Sequence, residues 1–448
     1  MKNKILLSVS IAMAALLSLA TSKPNKPNIV LILSDDAGYA DFSFQSNRFI
    51  TTPNIDRIAR EGVKFTDAYV TAAVCAPSRA GLLTGINQPE FGNVDNYIKG
   101  VKYTIPQADY GIPQNIKLIG DYLHPLGYKN GIIGKWHEGF SKPYHPNSRG
   151  FDYFWGFLWG SSQYFPGKAV EVEENGRPVD PASIPYMTDA IGDHALDFIE
   201  KEQNNPFFLY VSFNAVHSPL QSKTEDLEKY KEQFSDERKL NNAAMTHSLD
   251  HNVGRIYAQL EKLDLLDNTI VIFLNDNGGE TKHIRADNYP LRGHKSEPYE
   301  GGIRVPMAMR WPAKIKAGTV CHAIVSSLDI LPTILTEAGG KLPKKPLLKG
   351  ENLFEKAAQN ADREDDRALY WLISHDEGAI RQGDWKLVFE SDKAPQLFNL
   401  RKDIGETTDV SKTESKKYRK LLTRYDRWKS TLPPKRFMPL REREGSVD

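Results

Sequence analysis

The stretch Asn28-Ile29-Val30-Leu31-Ile32-Leu33 contains five apolar residues in a row and ends in Ser34-Asp35-Asp36. A strand with one solvated face alternates apolar and polar residues, whereas a strand inside a parallel sheet is covered on both faces and is apolar throughout. The run therefore predicts a buried strand of a parallel α/β sheet. Its carboxyl end, where the two carboxylates stand, is the end at which open α/β sheets bind ligands.

Three more strands are predicted, at 128–134, 207–213 and 269–274. Each is followed by polar side chains: Lys135 and His137 after the first, His217 after the second, and Asp276 and Asn277 after the third. Taken singly, each group has an ordinary alternative as a turn or a structural histidine. Because the carboxyl ends of parallel strands lie along one sheet edge, the four groups are predicted to meet in one cleft.

The adjacent pair Asp35-Asp36 suggests a cation. Neighbouring carboxylates repel each other, and a shared hard cation with oxygen ligands is a physical reason to keep them together. The alternative is a solvated turn with a helix cap.

The stretch Val74-Cys75-Ala76-Pro77-Ser78-Arg79-Ala80-Gly81-Leu82-Leu83-Thr84-Gly85 predicts a helix that starts at about Pro77, with Cys75 just before it. Pro77 and Ser78 suit the first turn of a helix, and helix N-termini attract anions. Cys75 is therefore a candidate nucleophile for an anionic ester. The alternative is a small buried apolar side chain, the usual role of a free cysteine.

This stretch resembles the signature of type I, formylglycine-dependent sulfatases of the alkaline-phosphatase-like superfamily. The resemblance extends from Pro27 to about Val410, with all motifs in the family order. The further motifs are Leu33-Ser34-Asp35-Asp36, Gly134-Lys135-Trp136-His137, His217-Ser218-Pro219, Asp276-Asn277-Gly278-Gly279, and Lys295 before Tyr299-Glu300-Gly301-Gly302.

The resemblance implies a role for each matching residue. Asp35, Asp36, Asp276 and Asn277 would bind one Ca²⁺, and Cys75, oxidised to formylglycine, would add an oxygen ligand and act as the nucleophile. Arg79 would hold the oxygen of the nucleophile, Lys135 and Lys295 would bind sulfate oxygens, His137 would act on the hydrated aldehyde, and His217 would protonate the leaving group. A formylglycine-generating or sulfatase-maturing enzyme is the implied partner.

Four positions depart from the common family pattern: Glu138, Ile86, Asn275 and His294. None removes a residue with an implied central role. His294 lies beside Lys295 in the sequence and is a candidate for contacting the substrate.

The first 22 residues read as an export signal: Lys2 and Lys4, an apolar run from Ile5 to about Leu19, then Ala20-Thr21-Ser22. The expected location is the periplasm or the medium, with no membrane span in the mature chain. The full chain has 58 basic and 57 acidic residues, a balance that argues against a nucleic-acid partner. A Cys75–Cys321 disulfide is the alternative to a modified Cys75 and a solitary Cys321.

The predicted architecture is α/β, with a large, mostly parallel sheet sandwiched by helices. Residues 23–366 are expected to form the catalytic domain. Residues 367–448 are expected to form a smaller subdomain of short antiparallel strands and one helix.

The predicted function is an exported sulfatase acting on a sulfated polysaccharide or its oligosaccharides. The alternative enzyme is a phosphodiesterase or phosphonate hydrolase of the same superfamily, and an inactive carbohydrate-binding relative is the alternative outside the enzymes. The sugar, the sulfate position and the oligomeric state stay open.

Overall fold

The run that begins at Asn28 forms a central strand in the computed structural model, which describes residues 26–45, 49–167, 170–346, 348–358, 367–374 and 376–438. The predicted export signal, 1–22, lies outside these residues. In chain order the strands are β1 Asn28–Ser34, β2 Val63–Phe65, β3 Ala68–Tyr69, β4 Lys129–Lys135, β5 Tyr153–Phe157, β6 Val172–Glu174, β7 Arg177–Val179, β8 Phe207–Ser212, β9 Thr269–Asn275, β10 Met307–Arg310, β11 Thr319–Cys321, β12 Val325–Ser326, β13 Ala368–Leu372, β14 Gly378–Gln382, β15 Trp385–Phe389 and β16 Gln396–Asn399.

The α-helices of the described residues lie mostly between these strands. They are α1 Pro53–Arg60, α2 Cys75–Thr84, α3 Ile119–Leu123, α4 Met187–Glu202, α5 Thr224–Glu228, α6 Glu237–Lys262, α7 Glu300–Ile303, α8 Ile330–Glu337, α9 Leu353–Ala358 and α10 Ser415–Lys429. None of them is both long and apolar enough to cross a bilayer.

The large sheet has ten strands in the order β11-β2-β10-β9-β1-β8-β4-β5-β6-β7. Its five central strands, β9, β1, β8, β4 and β5, are mutually parallel. Antiparallel pairing begins on either side, where β10 follows β9 and β6 follows β5. The prediction of a parallel centre is confirmed, and the whole sheet is mixed.

Alternate residues of β1 enter two different hydrophobic cores. Ile29 and Leu31 belong to the core that also contains Leu82 of α2 and Ile334 of α8. Val30 and Ile32 belong to a second core, shared with helices α1, α4 and α6. Successive side chains of a strand point to opposite faces, so helices cover both faces of the sheet, as predicted.

A separate sheet of four antiparallel strands, β13-β14-β15-β16, follows the large one. Helix α10 packs on it through Leu421, Tyr425 and Trp428. The Trp371 indole N–H donates a 2.6 Å hydrogen bond to the carbonyl of Val70, which follows β3 of the two-stranded sheet β12-β3. The antiparallel sheet and its helix confirm the predicted architecture, while the domain boundary at 366/367 stays a prediction.

Candidate active site

Four parallel strands bring their carboxyl ends to one sheet edge. In the register of the sheet, Ser34 of β1 pairs with Asn275 of β9, and Leu33 pairs with Ser212 of β8. Ser212 in turn pairs with Gly134 of β4. The polar groups that follow the four runs are therefore neighbours in space, which confirms the predicted convergence.

Three buried carboxylates, Asp35, Asp36 and Asp276, stand at this edge, each at most 2% exposed. Burial raises the pKa of Asp276 to about 6, and the charge of Asp35 adds to the shift. Asn277 donates a 2.8 Å hydrogen bond from Nδ2 to Asp36 Oδ1, while its own buried Oδ1 has no partner among the described residues. Crowded carboxylates beside an unused amide oxygen form a donor set suited to a hard cation.

Two lysines face the carboxylates. Lys135 Nζ lies 2.6 Å from Asp35 Oδ2, and Lys295 Nζ lies 2.7 Å from Asp36 Oδ2. Burial by itself raises the pKa of Asp35, but the opposing charges, led by Lys135 and His217, hold the pKa well below its ordinary value. Positively and negatively charged side chains therefore lie within a few ångströms of one another, largely shielded from water.

Arg79 is fully buried on helix α2 and is fixed on several sides. Its Nη2 and Nε donate to Asp276 Oδ2 at 2.7 and 3.0 Å, and its Nη1 donates to Ser212 Oγ. Its Nη2 also lies 3.7 Å from Asp35 Oδ2. Because a guanidinium stays charged and has a rigid planar fork, these contacts fix one positive charge in one orientation.

Cys75 is the first residue of α2 and is 1% exposed. Its Sγ lies 3.6 Å from Asp35 Oδ1 and 4.0 Å from Asp36 Oδ1. Burial raises the pKa of the thiol to about 12 despite the nearby lysines, so an unmodified Cys75 is a thiol at neutral pH. Both Cys75 and Cys321 are free and buried, and the alternative of a disulfide between them does not hold in this structure.

His137 offers one unused ring nitrogen. Its Nε2 lies 3.1 Å from the Tyr97 carbonyl oxygen. A carbonyl oxygen only accepts, so Nε2 carries the proton, and the buried Nδ1, which has no partner in the described part of the chain, carries the lone pair. Burial, followed by the charge of Lys135, holds the pKa of His137 well below its ordinary value, and the ring is neutral.

His217 contacts two acceptors. Its Nδ1 lies 2.6 Å from the Ser218 carbonyl oxygen, and its Nε2 lies 3.5 Å from Asp36 Oδ2. The carbonyl oxygen only accepts, so Nδ1 donates to it, and the contact of Nε2 with Asp36 is an ion pair when the ring is protonated. Ligand atoms of Asp35, Asp36, Cys75 and His217 all lie within 4.8 Å of one another.

His294 does not join this group. Its Nε2 lies 3.2 Å from Glu297 Oε1, and its Nδ1 lies 2.8 Å from the Lys295 carbonyl oxygen. It is not among the residues that line the cavity described next.

A cavity of about 500 Å³ opens onto Cys75, His137 and His217. Its walls come from three segments: 96–99, 157–163 and 170–171, with Pro219 beside His217. The nucleophile candidate and both histidines thus face one space large enough for part of a small organic substrate.

Residues 27–340 match the family model described as Sulfatase. This match covers more than half of the chain. The chain belongs to the sulfatase family. It is a sulfuric ester hydrolase, and the predicted family is confirmed. Residues 294–427 also match the model described as N-sulphoglucosamine sulphohydrolase, C-terminal.

Individual known proteins align with most of the chain. The crystal structure of Ps i-CgsB in complex with k-i-k-neocarrahexaose has 35% sequence identity and a TM-score of 0.86, covering 92% of this chain and 94% of that chain. The N-acetylgalactosamine-6-sulfatase of Mus musculus is 31% identical over 84% of this chain and 74% of its own length. Arylsulfatase J of Mus musculus is 29% identical over 94% of this chain and 78% of its own length.

The walls of the sulfatase cavity were not predicted from the sequence. Lys99, Trp159 and Glu171 line it, and the Lys99 Nζ lies 3.1 Å from Glu171 Oε1 and 5.6 Å from the centre of the Trp159 ring. The one available signal was the long polar loop at 87–114, which follows helix α2 directly and contains Lys99. Nothing in the sequence near Glu171 marked it as a wall of the site.

Proposed function

We propose that this sulfatase is an exported enzyme that hydrolyses sulfate esters of a sulfated carbohydrate, with Cys75 converted to formylglycine and one bound Ca²⁺. The observation that carries the proposal is the placement of Cys75. It lies beside Asp35 and Asp36 at the edge of a cavity, with Lys135, Lys295 and Arg79 around the same carboxylates.

Four side chains and residue 75 would hold the calcium ion. The carboxylates of Asp35, Asp36 and Asp276 and the unpartnered Oδ1 of Asn277 are all oxygen donors, as Ca²⁺ prefers. When bound, the ion would offset the negative charge of the sulfate oxygens.

Residue 75 needs a chemical change to act as the nucleophile. A thiol with a pKa of about 12 is hardly ionised at neutral pH, and the thiolate is the reactive form of cysteine. Formylglycine would supply a hydroxyl of a hydrated aldehyde at the same place. A maturing enzyme that oxidises Cys75 is therefore a required partner of the proposed reaction.

Lys135 and Lys295 would bind the sulfate group. Each ammonium lies against a carboxylate of the proposed calcium site. Both positive charges are therefore placed to bind an anion that lies next to the calcium ion. Arg79, held by Asp276 and Ser212, would orient the oxygen carried by residue 75. Fixed charges of this kind stabilise a transition state without reorganising when the reaction occurs.

The two histidines would move protons in opposite directions. His217, as an imidazolium donating through Nε2, would protonate the departing alcohol oxygen. His137, neutral and with its lone pair on Nδ1, would accept a proton from residue 75. Pairing one acid with one base on two sides of the reacting group is the usual arrangement for hydrolysis through an enzyme-bound intermediate.

A sulfated glycan is the substrate class that the relatives support. Ps i-CgsB was crystallised with a neocarrahexaose, and other relatives carry names of carbohydrate sulfatases. The cavity of this chain is open and bears both charged and aromatic side chains, as a charged sugar requires. Sulfated galactan oligosaccharides are the first substrates to test.

The test is mass spectrometry of the chain produced with and without a maturing enzyme, together with sulfate release. Conversion of Cys75 lowers the peptide mass by about 18 Da. We expect sulfate release only from the converted, Ca²⁺-loaded chain, and none from Cys75→Ala. Full activity of a chain whose Cys75 is an unmodified thiol would contradict the proposed nucleophile.

A further inference from the structure

A second cavity lies on the C-terminal helix, away from the sheet edge that carries Cys75. It is an open groove of about 510 Å³, and none of its lining residues lines the catalytic cavity. We call it the helix groove, and its lining residues are Tyr370, Lys420, Thr423, Arg424, Arg427, Trp428 and Thr431.

Three cations line the helix groove at helical spacing. Lys420, Arg424 and Arg427 are separated by four and three residues, so they lie on one face of α10. Within the described part of the chain, no carboxylate forms an ion pair with any of the three. Arg424 Nε donates a 2.8 Å hydrogen bond to the Tyr370 hydroxyl, which fixes its guanidinium at the groove.

The excess of positive charge is concentrated on α10 and is not a property of the whole chain. Between Ser415 and Lys429 the helix has seven basic residues and one acidic residue, while the whole chain has a net charge of +1. Packing does not require this charge, because Leu421, Tyr425 and Trp428 already bury the apolar side of the helix against the small sheet. The basic face is therefore available to a partner of opposite charge.

Two stacked aromatic rings also line the helix groove. The centroids of Tyr370 and Trp428 are 4.9 Å apart, with 24° between the ring planes. Trp428 is only 8% exposed and supports the ring of the half-buried Tyr370, which supplies most of the aromatic surface. Aromatic rings pack against apolar faces, and a pyranose has such a face made of its C–H groups. Arginine and lysine bind the oxygens of sulfate groups, arginine by a planar fork.

We propose that the helix groove binds a stretch of sulfated polysaccharide and holds the polymer to the enzyme outside the catalytic cavity. The choice of a sulfated glycan over other polyanions rests on the proposed function. The combination of spaced cations with a stacked aromatic pair also fits a ligand with alternating anionic and apolar surfaces better than it fits a uniform phosphate backbone.

The test measures binding without turnover, in the Cys75→Ala chain, by affinity electrophoresis through gels containing carrageenan. The groove variant adds Lys420→Gln and Arg427→Gln. The matched control adds Arg419→Gln and Lys429→Gln, which remove the same charge from the same helix on the flank away from the groove. Binding through the catalytic cavity is common to all three chains and cancels in the comparison.

We expect the groove variant to bind carrageenan about threefold to tenfold more weakly, the effect of losing two exposed ion pairs. The control is expected to stay close to the parent, and all three chains are expected to pass through unsulfated agarose without retardation. Equal weakening in both variants would overturn the proposal, because charge alone would then explain binding. Equally tight, groove-dependent binding of duplex DNA would overturn the assignment to a sulfated glycan. The assay measures binding and not turnover. Its result can therefore be interpreted even if the proposed sulfatase chemistry is wrong.

Discussion

The Nε2 atom of His137 donates to the main-chain oxygen of Tyr97, and this single bond leaves Nδ1 as the free lone pair of a buried, neutral ring. The carbonyl comes from the polar loop that follows the nucleophile helix. The loop therefore does more than border the cavity, because it also sets the tautomer of the proposed base.

His137→Ala tests this base. We expect turnover of a sulfate ester to fall by about 10² to 10⁴-fold, the usual contribution of a positioned general base. Release of the first equivalent of alcohol is expected to survive, because that step uses His217. Rapid-mixing kinetics with a chromogenic aryl sulfate measure both quantities. His251→Ala is the matched control, since His251 is exposed on helix α6 and does not line the cavity. A first turnover that slows as much as steady-state turnover would argue against this assignment.

Asn277→Ala tests the cation site. The buried Oδ1 of Asn277 has no partner among the described residues, and its removal takes one oxygen donor from the proposed calcium site. We expect Ca²⁺ to raise the Tm of the parent chain and to raise it much less in the variant. Differential scanning calorimetry with Ca²⁺ and with a chelator makes the comparison.

The control for this prediction is Asn204→Ala, an exposed asparagine before the start of β8, at the opposite end of that strand from the site. Its calcium-dependent Tm shift is expected to equal that of the parent. If Asn277→Ala responds to Ca²⁺ as strongly as the parent, the amide is not a ligand.

Much of the fold and of the active site could be predicted from the sequence, because buried strands have a distinctive composition. A fully buried strand is apolar over almost its whole length, so the runs before Asp35, His217 and Asp276 identified three central strands and the edge where they end. The contacts among these side chains, such as the 2.6 Å approach of Lys135 to Asp35, follow from the register of parallel strands.

The cavity walls could not be predicted in this way. Lys99, Trp159 and Glu171 come from connections whose course depends on tertiary packing, and their sequence neighbourhoods have no period. His294 stands next to Lys295 in the sequence, and its Nε2 lies 3.2 Å from Glu297 Oε1. Its contact with the substrate stays a prediction.

Trp159→Ala tests the wall of the cavity. The indole stacks on Phe140 with centroids 3.7 Å apart, and Lys99 Nζ lies 5.6 Å from its ring centre. Such a supported ring presents a rigid surface to a sugar. We expect the variant to raise KM for a sulfated oligosaccharide by about tenfold, the effect of losing one aromatic contact, with a smaller change for a small aryl sulfate.

Trp159→Phe keeps an aromatic surface and serves as the control, so its KM for the oligosaccharide is expected to stay nearer to that of the parent. An equal rise of KM for both substrates in Trp159→Ala would indicate general damage to the site rather than loss of a sugar contact. Steady-state kinetics on the two substrates separate these outcomes.

Glu138 provides the last prediction, on stability and pH. Its side chain is fully buried, and neither carboxylate oxygen has a hydrogen-bond partner among the described residues. Burial raises its pKa well above the ordinary value of 4.5, although Arg79 and Arg149 oppose the shift. The folded chain therefore favours the protonated acid, whereas the unfolded chain ionises near pH 4.5.

The free energy of unfolding should consequently fall as pH rises above 4.5, by about 1.4 kcal/mol per pH unit from this group until its folded pKa is reached. Glu138→Gln keeps the shape but cannot ionise, so its Tm is expected to exceed that of the parent at pH 8 and to approach it at pH 5. Glu232→Gln, at an exposed position, should show no such difference. Thermal unfolding of the three chains at both pH values measures these differences. A Tm gain for Glu138→Gln that is larger at pH 5 than at pH 8 would contradict the prediction, because the buried carboxyl would then be ionised in the folded enzyme.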